Sequence, residues 1–337
     1  MRETRRYVLA NRPTGRPAPS DFDLEPVTVP DPDEGEVLVG IEYLSVDPYL
    51  RDMMRESVSY AETWALGDPI TSSGVGHVVA SRHPDVDVGD VVRGPVQWAA
   101  FDLVHGDDLT RVDSDRGPVS TALGVLGMAG RTAYFGMRDV GDPAPDETVV
   151  VSAAAGAVGS VACQIAALEG CRVVGIAGSS RKTTYLTDEL GVDAAIDYTS
   201  EDVEAAIRSQ CPDGVDVYFD NVGGEISDAV LNCIDDHARI VVCGQVALYN
   251  EEGTPTGPRP APILANRRAR MEGFLVWDYE DRYDEADERL ARWVDEGTIT
   301  YREHVVDGLE NAPDAFVGLF DGDNVGKQLV HVDHDGE

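Results

Sequence analysis

Lysine is almost missing from this chain. Of 27 basic residues among 337, Lys182 and Lys327 are the two lysines, and the rest are arginines. Basic charge as a whole is scarce: 62 acids leave a formal charge of -35. A charge of that size repels phosphate backbones and anionic lipid surfaces, which argues against a nucleic-acid or membrane partner. The acids are scattered along the chain, not gathered in a tail. A scattered acidic surface depleted of lysine reads as adaptation to a salt-loaded cytoplasm, where ions screen the self-repulsion.

Cysteine is scarce and late. Cys163, Cys171, Cys211, Cys233 and Cys243 form no C-x-x-C pair, and their odd number and irregular spacing predict free, mostly buried thiols in a reducing compartment. No cysteine precedes residue 163. A catalytic zinc built from the first domain, or a four-cysteine structural zinc there, is therefore excluded, and no metal is expected. His77 in SSGVGHVVA is followed by Val78 and reads as a strand residue. His83, His105, His237, His304, His331 and His334 form no cluster. A G-x-S-x-G nucleophile elbow is also lacking. No apolar run approaches the roughly 18–20 residues of a membrane span, and MRETRRYVLANRPTG has no apolar core behind its charges. The expectation is a soluble, cytoplasmic protein.

What is present is length enough for two domains. Residues 1–120 read as short strands, such as EVLVGIEYLSV and VGDVVRGPV, between turns such as DPDEGE and HPDVDVGD. A helical period shows only around Met53 to Trp64. From residue 121 the texture changes. TALGVLGMAGRTAYFGM looks helical. Then the apolar runs TVVVS, RVVGIA, DAAID, VDVYFD, RIVVCG and EGFLVW alternate with helix-like segments of about a dozen residues, the signature of a parallel sheet covered on both faces. YREHVV, ENAPDAFVGLF and KQLVHV close the chain. The Pro/Gly-rich stretch YNEEGTPTGPRPAP is a loop long enough to suggest function.

The chemistry concentrates in TVVVSAAAGAVGSVACQIAALEGCRVVGIAGSSRK. It reads as strand Thr148–Ser152, a tight loop, a helix from about Val158 to Leu168, and strand Arg172–Ala177. The loop Ala154 to Gly159 is a G-x-G-x-x-G variant with Ala154 in the first place, followed by Gly156, Ala157, Val158 and Gly159. Gly156 lets backbone approach a pyrophosphate, Gly159 lets helix pack on strand, and the helix start supplies N–H groups and a positive dipole end. Dinucleotide binding follows, because strand, loop, helix and strand occur in the required order. In an NAD site an acid ends the second strand and bonds the ribose hydroxyls. Here Gly178-Ser179-Ser180-Arg181-Lys182 stands in that place. Small hydroxyls and two cations suit a 2′-phosphate, so Lys182 selects NADP(H).

Eight blocks carry a resemblance that spans nearly the whole chain: SVDPYLR, GMAGRTAYFG, AAAGAVGS, GCRVVGIAGSSRK, DVYFDNVGGE, VVCGQVALYN, RMEGFLV and GDNVGK. With these the chain resembles the zinc-independent medium-chain dehydrogenase/reductases, and among them the NADPH-dependent alkenal or one double-bond reductases. The resemblance implies an α/β architecture: a GroES-like β-rich domain, residues 1–120 plus 305–337, and a Rossmann doubly wound parallel sheet, residues 121–304, often as a homodimer. It implies that Ser179, Lys182 and Tyr198 meet the 2′-phosphate. It places cofactor contacts at Asn221, at Cys243 and Gly244 in the run to Tyr249, at Phe274, Leu275 and Val276, and at Asn324. Tyr249 matches the tyrosine nearest a reacting enone, and Tyr49, Tyr60 and Trp98 either line the substrate cleft or are plain packing residues. The implied reaction is reduction of the C=C bond of an α,β-unsaturated ketone or aldehyde, a small-molecule partner. A quinone reductase of the same superfamily and a non-catalytic NADPH-binding protein remain alternatives. For Lys327, a strand-edge ion pair is the plain option.

Overall fold

The computed structural model describes residues 1–56 and 63–333. The chain divides into two compact units, Met1–Gly124 with Glu303–Glu337, and Val125–Arg302.

The first unit is β-rich. Strands β1 (Arg2–Leu9) and β2 (Phe22–Val29) pair antiparallel along their full lengths. They are followed by β3 (Glu36–Ser45), the short helix α1 (Leu50–Met53), β4 (Thr71–Ser81), β5 (Val91–Gln97), β6 (Phe101–His105) and β7 (Thr110–Arg111). His77 lies in β4, as its sequence context predicts, and its imidazole faces Glu42 at 3.2 Å. Of the helical stretch expected around Met53 to Trp64, residues 57–62, Tyr60 among them, lie outside the described residues; α1 ends at Met53.

Of the two roles open to Trp98, packing is the one seen. It is fully buried, its ring stacks on Phe22, and its indole N–H donates to Ser72 Oγ at 3.0 Å. Tyr7 and Phe316 meet it edge-on. A side chain enclosed on all sides by its own unit touches no substrate, so Trp98 belongs to the core and not to a cleft.

The second unit is α/β. In order it contains α2 (Met128–Phe135), β8 (Thr148–Val151), α3 (Ala157–Leu168), β9 (Arg172–Ala177), α4 (Ser180–Thr184), β10 (Ala194–Asp197), α5 (Val203–Gln210), β11 (Val215–Asp220), α6 (Gly224–Leu231), β12 (Ile234–Val242), α7 (Ala261–Arg267), β13 (Arg270–Gly273) and α8 (Tyr283–Asp295). The strands form one parallel sheet of order β10-β9-β8-β11-β12-β13. Order reverses beside β8, which makes this a doubly wound sheet with its switch point between β8 and β11. The strands are apolar on both faces because helices cover both; Val149, Val150 and Val151 have no exposed surface. EGFLVW is not one strand. The sheet ends at Gly273, and the Asp278 carboxylate accepts the Leu275 N–H at 3.0 Å, which turns the chain into a 3-10 helix.

The chain then returns to the first unit as β14 (Glu303–Asp307), α9 (Ala312–Leu319) and β15 (Lys327–His331). The large sheet of that unit runs β14-β15-β3-β4-β5-β7, with β6 also on β3.

Candidate active site

In the second unit the site is built at the carboxyl ends of the parallel strands. After β8 the chain turns sharply. Ala153 takes a left-handed backbone (φ +46°), a strained conformation for a residue with a Cβ. Gly156 caps α3, and the helix axis points its unsatisfied first N–H groups outwards. Gly159 cannot be replaced: a Cβ there would lie 2.3 Å from the Ala153 carbonyl oxygen. The loop thus divides its work. Gly156, Ala157 and Val158 are partly exposed, whereas Ala154 and Gly159 are buried. Ala154 and Gly159 pack the turn and the helix, the role expected of Gly159.

The end of β9 is equally specific. Ser179 caps α4 by accepting the Lys182 N–H. Tyr198 follows β10, and its N–H donates to the Ala177 carbonyl at 3.1 Å. Its hydroxyl lies over the Gly178 backbone, 2.6 Å from where a Cβ would stand. Parallel pairing of Ala177 with Asp197 therefore brings Gly178, Ser179, Lys182 and Tyr198 to one corner of the sheet. No acid occupies the ribose-binding position there. A cap, a hydroxyl, a phenol and an ammonium fit a ribose phosphate.

At the ends of β11 and β12 the expected residues also converge. The Asn221 N–H donates to Ser152 Oγ (2.9 Å) and its Nδ2 to the Ser152 carbonyl (2.8 Å). Cys243 and Gly244 both donate their N–H to the Asp220 carbonyl, at 2.9 and 3.0 Å. The Tyr249 hydroxyl lies beside Gly244, 3.8 Å from the position of a Cβ, and the Asn221 carbonyl is 3.3 Å from that same point. Burial, with the Asp220 charge adding to it, pushes the Cys243 thiol up to about 12, so it stays protonated at neutral pH. Phe274 packs edge-on to Tyr279 and faces Gly136; Leu275 is half-buried and Val276 buried. Sequence alone did not single out Asp220. The signal was an acid closing an otherwise apolar buried strand, VDVYFD.

In the first unit, Tyr49 is half-buried at the start of α1, and Asn324 donates Nδ2 to the Gly326 carbonyl at 2.8 Å. Lys327 is buried. Its ammonium meets Asp47 (2.9 Å) and the carbonyls of Val46 (3.1 Å) and Gln328 (2.9 Å). Among the described residues no three His, Cys, Asp or Glu side chains are grouped to hold a metal.

Two family models match the chain, one described as the N-terminal domain of oxidoreductase over residues 5–112, the other as zinc-binding dehydrogenase over residues 157–292. A putative NADP-dependent oxidoreductase of Bacillus subtilis is 50% identical over 96% of this chain and 96% of its own. The NADPH-dependent curcumin reductase of Escherichia coli is 44% identical over 97% of this chain and 96% of its own. The crystal structure of CurA from Vibrio vulnificus in complex with NADPH superposes with a TM-score of 0.94 at 41% identity, covering 98% of this chain and 99% of that one. Fold, corner chemistry and full-length likeness agree, and the chain belongs to the zinc-independent double-bond reductases of the medium-chain dehydrogenase/reductase family, a group of NADP-dependent oxidoreductases.

Proposed function

We propose that this protein reduces the C=C bond of α,β-unsaturated ketones or aldehydes with NADPH. The observation that carries the reading is the Tyr249 hydroxyl, which stands beside Gly244 and Asn221 at the carboxyl ends of β11 and β12, next to the switch point. Bound NADPH supplies a hydride to the β-carbon of the substrate. Tyr249 donates a hydrogen bond to the carbonyl oxygen, where negative charge develops as the enolate forms; a fixed donor at that oxygen is the main catalytic need. The α-carbon then takes a proton from Tyr249 or from water. Gly156, Ala157 and Val158 hold the pyrophosphate at the start of α3, while Ser179, Lys182 and Tyr198 hold the 2′-phosphate. Asn221 and Gly244 hold the nicotinamide end, with Phe274, Leu275 and Val276 beside it; Asn324 is assigned a cofactor contact on resemblance alone. Tyr49 lines the substrate side, and Tyr60 is assigned there on resemblance alone. The likeness to an NADPH-dependent curcumin reductase and to a 2-alkenal reductase supports this reading.

The same reading makes the protein a cytoplasmic homodimer. Its support is β13, the last strand of the parallel sheet, which is exposed along its whole length, Met271 included; such an edge favours pairing with a second copy. Light scattering after gel filtration tests this.

The activity test is loss of NADPH absorbance with a simple enone and, separately, a small quinone, in concentrated KCl. A saturated ketone as product supports the reading. Turnover of the quinone alone overturns it, and NADPH binding without turnover of either overturns the catalytic assignment.

A further inference from the structure

The two loops that carry Asn221 and Tyr249 share one anchor, and it is a buried carboxylate. Asp220 is 3% exposed. Its Oδ1 accepts the Tyr218 hydroxyl (2.8 Å), the Ser152 hydroxyl (3.2 Å) and the N–H groups of Val222 (3.0 Å) and Gly223 (2.9 Å). Its Oδ2 accepts the Ser227 hydroxyl (2.5 Å) and Gln245 Nε2 (3.0 Å). No salt bridge among the described residues includes it. An isolated buried charge is costly unless dipoles surround it, and here the dipoles come from the ends of β8, β11 and β12 and from α6.

We propose that Asp220 is a positioning residue for the active site, acting on both loops at once. The inference rests on the NADPH-dependent enone reading. The first arm runs through Ser152: that hydroxyl donates to Asp220 and accepts the Asn221 backbone N–H, so the carboxylate fixes the backbone of Asn221, whose side chain is tied in turn to the Ser152 carbonyl. The second arm runs through Gln245, whose Nε2 bridges Asp220 and the Gly244 carbonyl (2.9 Å), the backbone against which the Tyr249 hydroxyl rests. Gly223 makes room for this arm. A Cβ there would lie 2.3 Å from Gln245 Oε1, and its φ of +73° lets its N–H turn back to the carboxylate.

A neutral amide cannot serve all the donors. In Asp220→Asn one oxygen becomes an NH2 group, so the Gln245 amide must flip or let go, and either change releases the Gly244 carbonyl. The variant should bind NADPH about tenfold more weakly in a fluorescence titration and lose about tenfold in kcat on an enone, as expected for one or two charge-assisted hydrogen bonds. Gln245→Leu cuts the second arm alone. It should lower kcat by a similar factor while weakening NADPH binding less than Asp220→Asn does, because the Asn221 arm is intact, a split that general loosening of the fold would not produce. A lowered melting temperature with unchanged Kd and kcat in Asp220→Asn makes the residue merely structural and overturns the proposal. If Asp220→Asn does not fold, Gln245→Leu decides, and wild-type kcat there also overturns it. Should the wild-type protein bind NADPH yet reduce no enone, the substrate reading falls, and the Kd of Asp220→Asn still decides the Asn221 arm.

Discussion

Lys182 and Lys327 survive in a lysine-poor chain for opposite reasons. Lys327 is shut away from solvent, where its ammonium meets three oxygens from Val46, Asp47 and Gln328. A compact cation with three donors suits that cage, and the flat fork of an arginine does not. Lys182 sits at the corner assigned to the 2′-phosphate, near Ser179 and Tyr198, in a position where a cation is disfavoured by the start of α4. Lys182→Ala should weaken NADPH binding roughly tenfold to a hundredfold, the usual worth of a charged hydrogen bond, and leave NADH binding nearly unchanged. Paired titrations with the two cofactors check this; equal losses would remove Lys182 from the phosphate. The role proposed for Lys182 could be read locally: no acid ends β9, and a lysine appears where few are used. For Lys327 an ion pair was legible but its partner was not, because Asp47 lies 280 residues away.

At the scale of elements, alternation and breakers located most strands and helices. Their ends depended on contacts between segments. The run EGFLVW looked like one strand, yet Asp278 draws Leu275 into a turn. Trp98 was open to a pocket or a packing role, and the bend between β5 and β6 carries it into the core. That bend is held by Asp102, which accepts the N–H groups of Gln97 (2.8 Å) and Leu103 (2.9 Å). Burial raises the Asp102 carboxyl to about 6, against the opposing pull of those two N–H groups. Its folded value thus lies above its unfolded one. The stability it contributes is full below about pH 4 and is lost as pH rises through about 6, on the order of 3 kcal/mol at most by linkage. Urea unfolding of the wild-type protein and Asp102→Asn at pH 5 and pH 8 checks the sign. The wild-type advantage should be larger at pH 5, and an advantage that grows with pH would contradict it.

At the scale of the whole molecule, charge is the dominant feature. A surface of -35 net charge repels itself in dilute buffer. The screening length falls from about 10 Å at 0.1 M salt to about 3 Å at 1 M. The melting temperature should therefore rise steeply between dilute buffer and molar KCl, as read by scanning calorimetry, and a salt-independent melting temperature would remove the salt-adapted reading. Lys327 and Asp47 are both buried, so their pair should persist across that range. The cysteines follow the same division between surface and interior. Four are buried, and burial pushes Cys163 to about 12 and Cys171 and Cys211 to about 11, which leaves them unreactive thiols.

The sequence by itself determined the fold class, the strand–loop–helix order after β8, the absence of cysteine ahead of residue 163 and the cation proposed for a 2′-phosphate. Each of these is written in short-range spacing or in composition. The tertiary structure alone decided which residues of the glycine loop face outwards, that Trp98 is core, that Tyr198 lies over Gly178, and that one carboxylate, Asp220, ties the ends of three strands together. Those facts depend on which strands become neighbours in the sheet, and that order is set by packing across the whole domain, where residues far apart in the chain must satisfy one another's buried polar groups.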